Sequence, residues 1–399
     1  MVFGLTPNQH AIQDLVRNFV RQEVIPIASE LDRLSDPVQA YPWEVVKKAS
    51  KLGLRTLALP ERLGGGGGDF LTLLIVCEEL AYGDLGVAES FDTTLSWSHV
   101  ISELMDEKQQ ARFLSSFIED DTFMLAHAMA EPDAGSDNML PNDDIRAGIA
   151  TSARRDGEEW VINGRKHYIA NGNIAKLVFV MTRTDRTRSV TDGCTLFAVP
   201  AGTPGFSTGR VEDKIGQRLC NNAELIFEEC KVPDFNRIGE VNHGLQLLGR
   251  VSYTNVVKTA ATALGVSRAA YEAALNYASR RIQGSRPIIE HQAVGTMLAD
   301  MLMKIEAVRS LVWRMGWAVD HQKNFDRNLG RLTKVFACEV AVEVTLKAIE
   351  IFGGSGAMKE SPVEKFHRDA VTLLHSGGTH QILKIKAARA LAGAEVKGW

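Results

Sequence analysis

The residues of this 399-residue chain that are best suited to chemistry are those that could hold a bulky anionic ligand. Gly353, Gly354 and Gly356 would let the backbone approach such a ligand, because glycine has no side chain to block it. Arg281 could pair with a pyrophosphate in a bidentate way, and Ser136 offers a hydroxyl donor. Each feature alone has a plain structural alternative, since a GGxG run often ends a helix and a single arginine is often solvated. Together they are consistent with a nucleotide ligand.

Two other patterns do not predict a site. His367, His375 and His380 are close in sequence, but they come without a cysteine or a His-x3-His pair, so no metal site is expected. The five adjacent glycines at 64–68 lack the spacing and the lysine of a phosphate-binding loop, and they predict a flexible connection.

Composition excludes several classes of protein. The net charge of −4 and the pI of about 6.2 leave no basic excess for binding a nucleic acid. The longest apolar run, residues 71–77, is interrupted by Thr72 and is far shorter than the ~20 residues that span a bilayer. The first residues lack the pattern of a signal peptide, and five cysteines without a CxxC motif indicate reduced thiols. A cytoplasmic protein without a membrane span is therefore expected.

Three regions of the chain differ in their hydrophobic period. Residues 1–122 follow the helical period, and residues 123–240 contain short runs rich in β-branched and aromatic residues. Within the second region, Asn163-Gly164 predicts the turn of a hairpin. Residues 241–399 predict long helices packed as a bundle. The expected fold is α+β and multidomain: an N-terminal helical domain, a middle β-barrel-like domain and a C-terminal helical bundle.

Four motifs in this order resemble the flavin-dependent acyl-CoA dehydrogenases, and the likeness covers essentially the whole chain. The first is AMAEPDAGSD at 128–137, and the second is WVINGRKHYIANG at 160–172. The third combines Arg281 with PIIEHQ at 287–292. The fourth joins EIFGGSGAMKESPVEKFHRDA at 350–370 to GGTHQI at 377–382.

The resemblance implies FAD as the cofactor and an acyl-CoA as the substrate. It also implies a homodimer or homotetramer, in which flavin contacts cross a subunit interface, and an electron-transfer flavoprotein as partner. The residues that it implies for FAD are Met129, Ala130, Ser136, Tyr168, Ala170, Arg281, Gln292, Glu350, Gly353, Gly354, Thr379 and Gln381. Those that it implies for the substrate are Ser136, Asn255 and Gly377.

The chain departs from the family pattern at the catalytic base. The family removes an acidic proton of the acyl group with a glutamate, which lies at one of two places in the sequence. Here the corresponding residues are Gly377 and Asn255, and neither can accept a proton at neutral pH. This chain also has Tyr168 and Ala170 where the family has Trp and Thr in the strand motif. It has Ala130 where the family has Thr before Glu-Pro.

Asp92 is the first candidate to replace the missing base. The resemblance places it at the floor of the acyl pocket, where burial would raise the pKa of its carboxyl into a range useful for proton abstraction. A solvated or helix-capping role is the alternative. His375 is the second candidate, although such a histidine is more often a packing residue. Glu89 and Tyr253 are weaker candidates.

Three functions remain open from the sequence. The first is FAD-dependent dehydrogenation of an acyl-CoA, with a cyclic or otherwise unusual acyl group. The second is non-oxidative elimination chemistry on an acyl-CoA, which does not need the missing base. The third is a partner subunit whose sister chain supplies the acid in a hetero-oligomer.

Overall fold

Helices form the first part of the chain in the computed structural model, which describes residues 4–139, 144–322 and 325–393. Thr6 caps the first helix by accepting a hydrogen bond from the backbone N–H of Gln9. One π-helical turn, Val20–Val24, joins the first two helices. The six helices are α1 (Pro7–Phe19), α2 (Ile25–Asp32), α3 (Trp43–Lys51), α4 (Phe70–Gly83), α5 (Leu85–His99) and α6 (Glu107–Glu119).

One sheet forms the middle of the chain. Its strands are β1 (Met124–Ala128), β2 (Ser152–Asp156), β3 (Glu159–Ala170), β4 (Ala175–Arg183), β5 (Cys194–Pro200), β6 (Phe206–Val211), β7 (Asn222–Pro233) and β8 (Arg237–Ile238). Their spatial order is β6-β7-β3-β2-β4-β5-β8, and β1 pairs with β4 in parallel. Within the described residues the first and last strands of this order, β6 and β8, do not pair, so the barrel is not closed. The prediction of a barrel-like, sheet-rich middle domain is confirmed.

The predicted hairpin at Asn163-Gly164 is wrong. Both residues lie inside β3, where the pairing with β7 shifts register between Ile162 and Gly164. A Cβ on Gly164 would lie 2.6 Å from Thr151 Oγ1, so this glycine allows a close approach of two backbone segments. The local turn preference of Asn-Gly is overridden because β3 pairs with β7 from Glu159 to Ala170 and with β2 from Glu159 to Asn163.

A helical bundle completes the fold, as predicted. A short hairpin of β9 (Ile282–Gln283) and β10 (Arg286–Pro287) links α8 to α9, and α8 packs against both α4 and α10. The three longest helices have 26, 30 and 26 residues. The six helices are α7 (Gly244–Leu248), α8 (Asn255–Arg280), α9 (Gln292–His321), α10 (Arg327–Phe352), α11 (Pro362–Thr372) and α12 (His380–Leu391).

The expectations from composition can be compared with the structure. The described part of the chain contains no helix that is both long and apolar enough to cross a membrane. All five cysteines are buried free thiols. The glycine run is tied to the preceding segment, because the N–H groups of Gly66, Gly67 and Gly68 donate to the carbonyls of Thr56, Leu59 and Leu57.

Helix α5 lies between the sheet and the bundle and connects them. Asn171, just after β3, donates from Nδ2 to the carbonyls of Ser90 (2.9 Å) and Leu125 (3.2 Å). Its Oδ1 accepts from Ser90 Oγ at 2.7 Å. These bonds hold one face of α5 against the sheet, which leaves other residues of the helix to line a cavity.

Candidate active site

A cavity of about 720 Å³ lies where α5, the end of β3, the segment 214–217, the start of α8 and the segment 371–377 meet. We call it the first cavity. It brings together nine of the residues singled out from the sequence: Glu89, Asp92, Met129, Ala130, Tyr168, Ala170, Asn255, Gly377 and His375, the last of which is exposed.

The sheet side of the first cavity has a rigid backbone. Lys166 Nζ is fully buried and donates to the Met129 carbonyl at 3.1 Å and to Glu131 Oε1 at 2.8 Å. The carbonyl of Ala130 accepts from the His167 N–H at 2.9 Å. These contacts fix the strand ends that carry the cavity-lining residues of β1 and β3.

Tyr168 presents an aromatic ring on the same side. Its φ of 59° is rare for a residue with a side chain, and its carbonyl accepts from Asn222 Nδ2 at 2.8 Å. The ring stacks on His167, yet 60% of the residue remains exposed. An exposed ring on a strained backbone is suited to contact a flat ligand.

Helix α5 contributes acidic side chains to the wall of the first cavity. Glu89 and Asp92 are the two carboxylates among the described residues that line it. Asp92 is 6% exposed and lies inside α5, so it is neither solvated nor a helix cap. Its Oδ1 accepts from Ser96 Oγ at 3.0 Å and lies 3.7 Å from Nζ of Lys258, which is fully buried.

Burial shifts the pKa values of these groups. It raises the pKa of Asp92, and the Lys258 ammonium and the Ser96 hydroxyl oppose the shift. Burial and the Asp92 carboxylate raise the pKa of Glu89 to about 7. Burial also lowers the pKa of Lys258, with Asp92 acting in the opposite direction. The pKa of His127, on the cavity wall, falls to about 3 through burial and the nearby Lys166.

Three buried polar atoms on the cavity wall lack a hydrogen-bond partner among the described residues. They are Glu89 Oε2, Gln217 Nε2 and Ser376 Oγ. Buried polar groups in proteins are nearly always paired, so orphaned atoms around one cavity point to a bound polar ligand. A flavin ring and a substrate, which together supply both hydrogen-bond donors and acceptors, fit this wall.

The two family positions for the base carry no carboxylate here. Asn255 Oδ1 accepts from Lys258 Nζ at 3.4 Å. Gly377 has a φ of 64°, and a Cβ there would lie 3.1 Å from Thr259 Oγ1. The backbone at Gly377 therefore disfavours a side chain.

A second cavity, of about 530 Å³, lies at the surface between the end of α8 and the end of α10. Arg281, Glu350, Gly353 and Gly354 line it, and all four are exposed. A Cβ at either glycine would meet nothing within 4 Å. The residues expected to bind flavin are thus divided between two separate places on one chain.

The remaining predicted residues line neither cavity. Ser136 Oγ and Thr379 Oγ1 are 3.3 Å apart, and Thr379 caps α12. Gln381 and Gln292 are exposed in the first turns of α12 and α9. Tyr253 lines a third cavity, of about 240 Å³. No group of three or more His, Cys, Asp or Glu side chains in the described residues could hold a metal ion.

Sequence reasoning missed several residues of the first cavity and its surroundings. Lys258 has a visible signal, because it is the one charged residue in the otherwise uncharged stretch NVVKTAATALG at the start of α8. Trp97 and His127, whose rings are 4.1 Å apart, have no such signal, since only the fold brings α5 against β1. Lys214, which donates to the Cys220 carbonyl and to Asn222 Oδ1, has no signal in the sequence either.

Comparison with known proteins agrees with this architecture. Residues 6–121, 126–230 and 243–392 match the families described as the N-terminal, middle and C-terminal domains of acyl-CoA dehydrogenase. A probable acyl-CoA dehydrogenase, YngJ of Bacillus subtilis, is 33% identical over 98% of this chain and 100% of its own length.

Solved structures give the same result. Butyryl-CoA dehydrogenase from Megasphaera elsdenii has a TM-score of 0.91 at 32% identity, covering 98% of this chain and 100% of its own. A glutaryl-CoA dehydrogenase from Mycobacterium smegmatis in complex with FADH2 has a TM-score of 0.88 at 25% identity, covering 98% and 95%. The chain belongs to the acyl-CoA dehydrogenase family, whose members are FAD-dependent oxidoreductases that act on CH–CH groups.

Proposed function

We propose that this protein dehydrogenates an acyl-CoA thioester and uses Asp92 as the base. One observation carries the proposal: the same cavity is lined by the residues expected beside a flavin ring and by the buried carboxylate of Asp92. Gly377 and Asn255 offer no carboxylate, so Asp92 is the group in this cavity best placed to take a proton.

The residues around Asp92 prepare its carboxylate for that role. Ser96 and Lys258 hold Oδ1, and no described residue donates a hydrogen bond to Oδ2, which leaves Oδ2 to accept the proton. Burial raises the pKa and makes the carboxylate a stronger base than an exposed one. FAD, when bound, supplies the acceptor for the hydride. Met129, Ala130, Tyr168 and Ala170 would hold its ring.

The second cavity supports an oligomeric enzyme. We propose that Arg281, Gln292, Glu350, Gly353 and Gly354 contact FAD held mainly by another copy of the chain, in a homodimer or homotetramer. Their exposure on a single chain is consistent with this role. Ser136, Thr379 and Gln381 complete the proposed FAD site, and Ser136, Asn255 and Gly377 the proposed CoA-thioester site.

The position of Asp92 also bears on the substrate and the partner. A base on α5 would act on a carbon remote from the thioester, as in a compact cyclic acyl group. An electron-transfer flavoprotein is the proposed acceptor of the electrons. The cytoplasmic location stays a prediction.

Anaerobic titration of the holoenzyme with a panel of acyl-CoA esters tests the proposal. Loss of the flavin absorbance at about 450 nm, with formation of an unsaturated product, is expected for at least one ester. Product without loss of absorbance would favour non-oxidative elimination. Activity that appears only with a second chain would favour the partner-subunit function, and either result would contradict the proposal.

A further inference from the structure

The acidic side of the first cavity offers an unused hydrogen-bonding position. Glu89 lines the cavity, and its Oε2 is buried and accepts no hydrogen bond from the described residues. Glu89 is three residues before Asp92 on α5, so the two side chains are neighbours on one helix face. A buried acceptor without a partner is unfavourable, and more so if it is charged, so a ligand group that fills the position gains affinity.

The charges around Glu89 restrict what that ligand group can be. Two carboxylates, Glu89 and Asp92, would repel an anionic group. Lys214, which lines the same cavity, and Lys334 both exert their positive charge on Glu89, and Lys258 lies 3.7 Å from Asp92. The two carboxylates already have cations beside them, so a cationic group is disfavoured as well. A plain alkyl group would leave Oε2 without a partner.

A hydroxyl group satisfies all of these conditions, because it is uncharged and can both donate and accept a hydrogen bond. It can therefore pair with Glu89 whether the carboxyl is ionised or protonated. We propose that the substrate is an acyl-CoA whose acyl group carries a hydroxyl remote from the thioester, and that Glu89 binds this hydroxyl.

The neighbouring wall suits the carbon skeleton of such a substrate. Trp97 and His127 pack with ring centroids 4.1 Å apart and an angle of 31° between the planes. Both line the cavity, and the low pKa of His127 keeps its ring uncharged at neutral pH. The wall beside the acids is thus a flat, uncharged surface on which carbon atoms can pack.

Matched pairs of esters test this inference, which rests on the proposed acyl-CoA dehydrogenation. The pairs are 6-hydroxyhexanoyl-CoA with hexanoyl-CoA, and 4-hydroxycyclohexanecarboxyl-CoA with cyclohexanecarboxyl-CoA. The holoenzyme should bind the hydroxylated member of at least one pair about 10-fold more tightly, measured as Kd by calorimetry under anaerobic conditions. The kcat/KM with an artificial electron acceptor should show the same preference.

Variants of Glu89 show whether this residue causes the preference for hydroxylated esters. Glu89→Leu should abolish the preference for the hydroxyl, whereas Glu89→Gln, which can still donate and accept, should keep part of it. Glu30→Gln, at an exposed position on α2, is the matched control and should change neither Kd nor preference. If Glu89→Leu does not fold, the role of Glu89 is decided by the Kd values of the matched esters for the wild type and for Glu89→Gln.

Several results would overturn the inference. They are equal or weaker binding of both hydroxylated esters, an unchanged preference in Glu89→Leu, or tighter binding of 6-aminohexanoyl-CoA or adipoyl-CoA than of 6-hydroxyhexanoyl-CoA. Turnover of the plain esters together with any of these would leave the proposed dehydrogenation intact. If no ester reduces the flavin, the proposed function fails, while the Kd values still decide the role of Glu89.

Discussion

Helix α5 takes part in two buried clusters of charge that differ in how fully they are hydrogen-bonded. The structural cluster consists of Asp84, Lys365 and Asp369, all nine-tenths buried or more. Lys365 Nζ donates to Asp84 Oδ2 at 2.5 Å and to Asp369 Oδ2 at 2.7 Å. The other two carboxylate oxygens accept from the backbone N–H groups of Val87 (2.9 Å) and Gln217 (2.6 Å). Every carboxylate oxygen of this cluster therefore has a donor.

The cavity cluster, which consists of Glu89, Asp92 and Lys258, begins little more than one turn further along the helix. Lys258 Nζ lies 3.7 Å from Asp92 Oδ1, which is beyond hydrogen-bond distance, and no residue that the structure describes donates to Glu89 Oε2. A fully paired network fixes the elements that carry it, whereas an incompletely paired one keeps its capacity for a ligand. The structural cluster therefore holds the cavity walls together, whereas the cavity cluster contains the charges that are proposed to act on the substrate.

Breaking the structural cluster should have the largest effect. Lys365→Met would leave two buried carboxylates without their cation, which is expected to lower the free energy of unfolding by about 3–5 kcal/mol. Thermal unfolding of the holoenzyme measures the change. Lys47→Met removes an exposed ion pair with Glu44 and should leave the Tm unchanged. Equal Tm values for the two variants would show that the structural cluster does not stabilise the fold.

Changing the cavity cluster should affect turnover more than stability. Asp92→Asn keeps the shape of the side chain and removes the base, so kcat should fall at least ~10²-fold, about 2.7 kcal/mol of barrier. FAD content and binding of the CoA ester should stay close to those of the wild type, whereas the Tm should fall by less than in Lys365→Met, because only one buried charge, that of Lys258, loses its partner. Asp14→Asn, at an exposed carboxylate, is the control. Full activity of Asp92→Asn would assign the base elsewhere, with His375 next to be tested.

A third variant lies outside both clusters, in the second cavity. Arg281→Ala should weaken FAD binding about 10- to 100-fold, because a charge-assisted contact contributes about 1.5–3 kcal/mol. The oligomer should dissociate at the same time, as measured by analytical ultracentrifugation. Arg280→Ala, at the neighbouring arginine, serves as the control. A stable Arg281→Ala oligomer with full FAD occupancy would remove Arg281 from the proposed site.

A new carboxylate at the start of α8 would test whether the base can be moved. Asn255 has a φ of −58° and lies at the N-terminus of the helix, where an acidic side chain is favourable, unlike the strained backbone at Gly377. In the Asp92→Asn background, Asn255→Glu should restore at least ~10-fold of the lost kcat for a conventional acyl-CoA such as butyryl-CoA. Asn255→Gln in the same background should restore nothing. Equal kcat values for Asn255→Glu and Asn255→Gln in this background would show that a carboxylate at position 255 cannot act as the base.

The smallest expected effect is a pH dependence of stability that comes from the cavity cluster. Burial and the Asp92 carboxylate raise the pKa of Glu89 from 4.5 to about 7, so between these values the folded state binds more protons than the unfolded state. The free energy of unfolding should therefore fall as the pH rises through this range. Glu89→Gln removes the titrating group, so the wild type should lose Tm relative to this variant between pH 5 and pH 8. A constant difference in Tm across that range would contradict the raised pKa.

The sequence was sufficient to predict the order of the domains, the long C-terminal helices and the family. Periodicity is a local property that hydrophobic burial enforces, and the motifs are contiguous runs such as AMAEPDAGSD. It also showed that Gly377 and Asn255 cannot act as bases, because that conclusion needs only the identity of the residue. The Asn163-Gly164 turn was predicted wrongly, since pairing of β3 with β7 is a long-range interaction that local turn preference does not reveal.

Only the tertiary structure decided which charges are buried together. Asp92 and Lys258 are far apart in the sequence, and so are Asp84 and Lys365, yet each pair meets across packed helices. The sequence could not distinguish the paired Asp84 from the partly unpaired Glu89, because both are acidic residues at the beginning of one helix, Asp84 as its N-cap and Glu89 in its second turn. Whether a buried carboxylate is fully hydrogen-bonded depends on donors from distant segments, and only the packing of those segments brings the donors within reach.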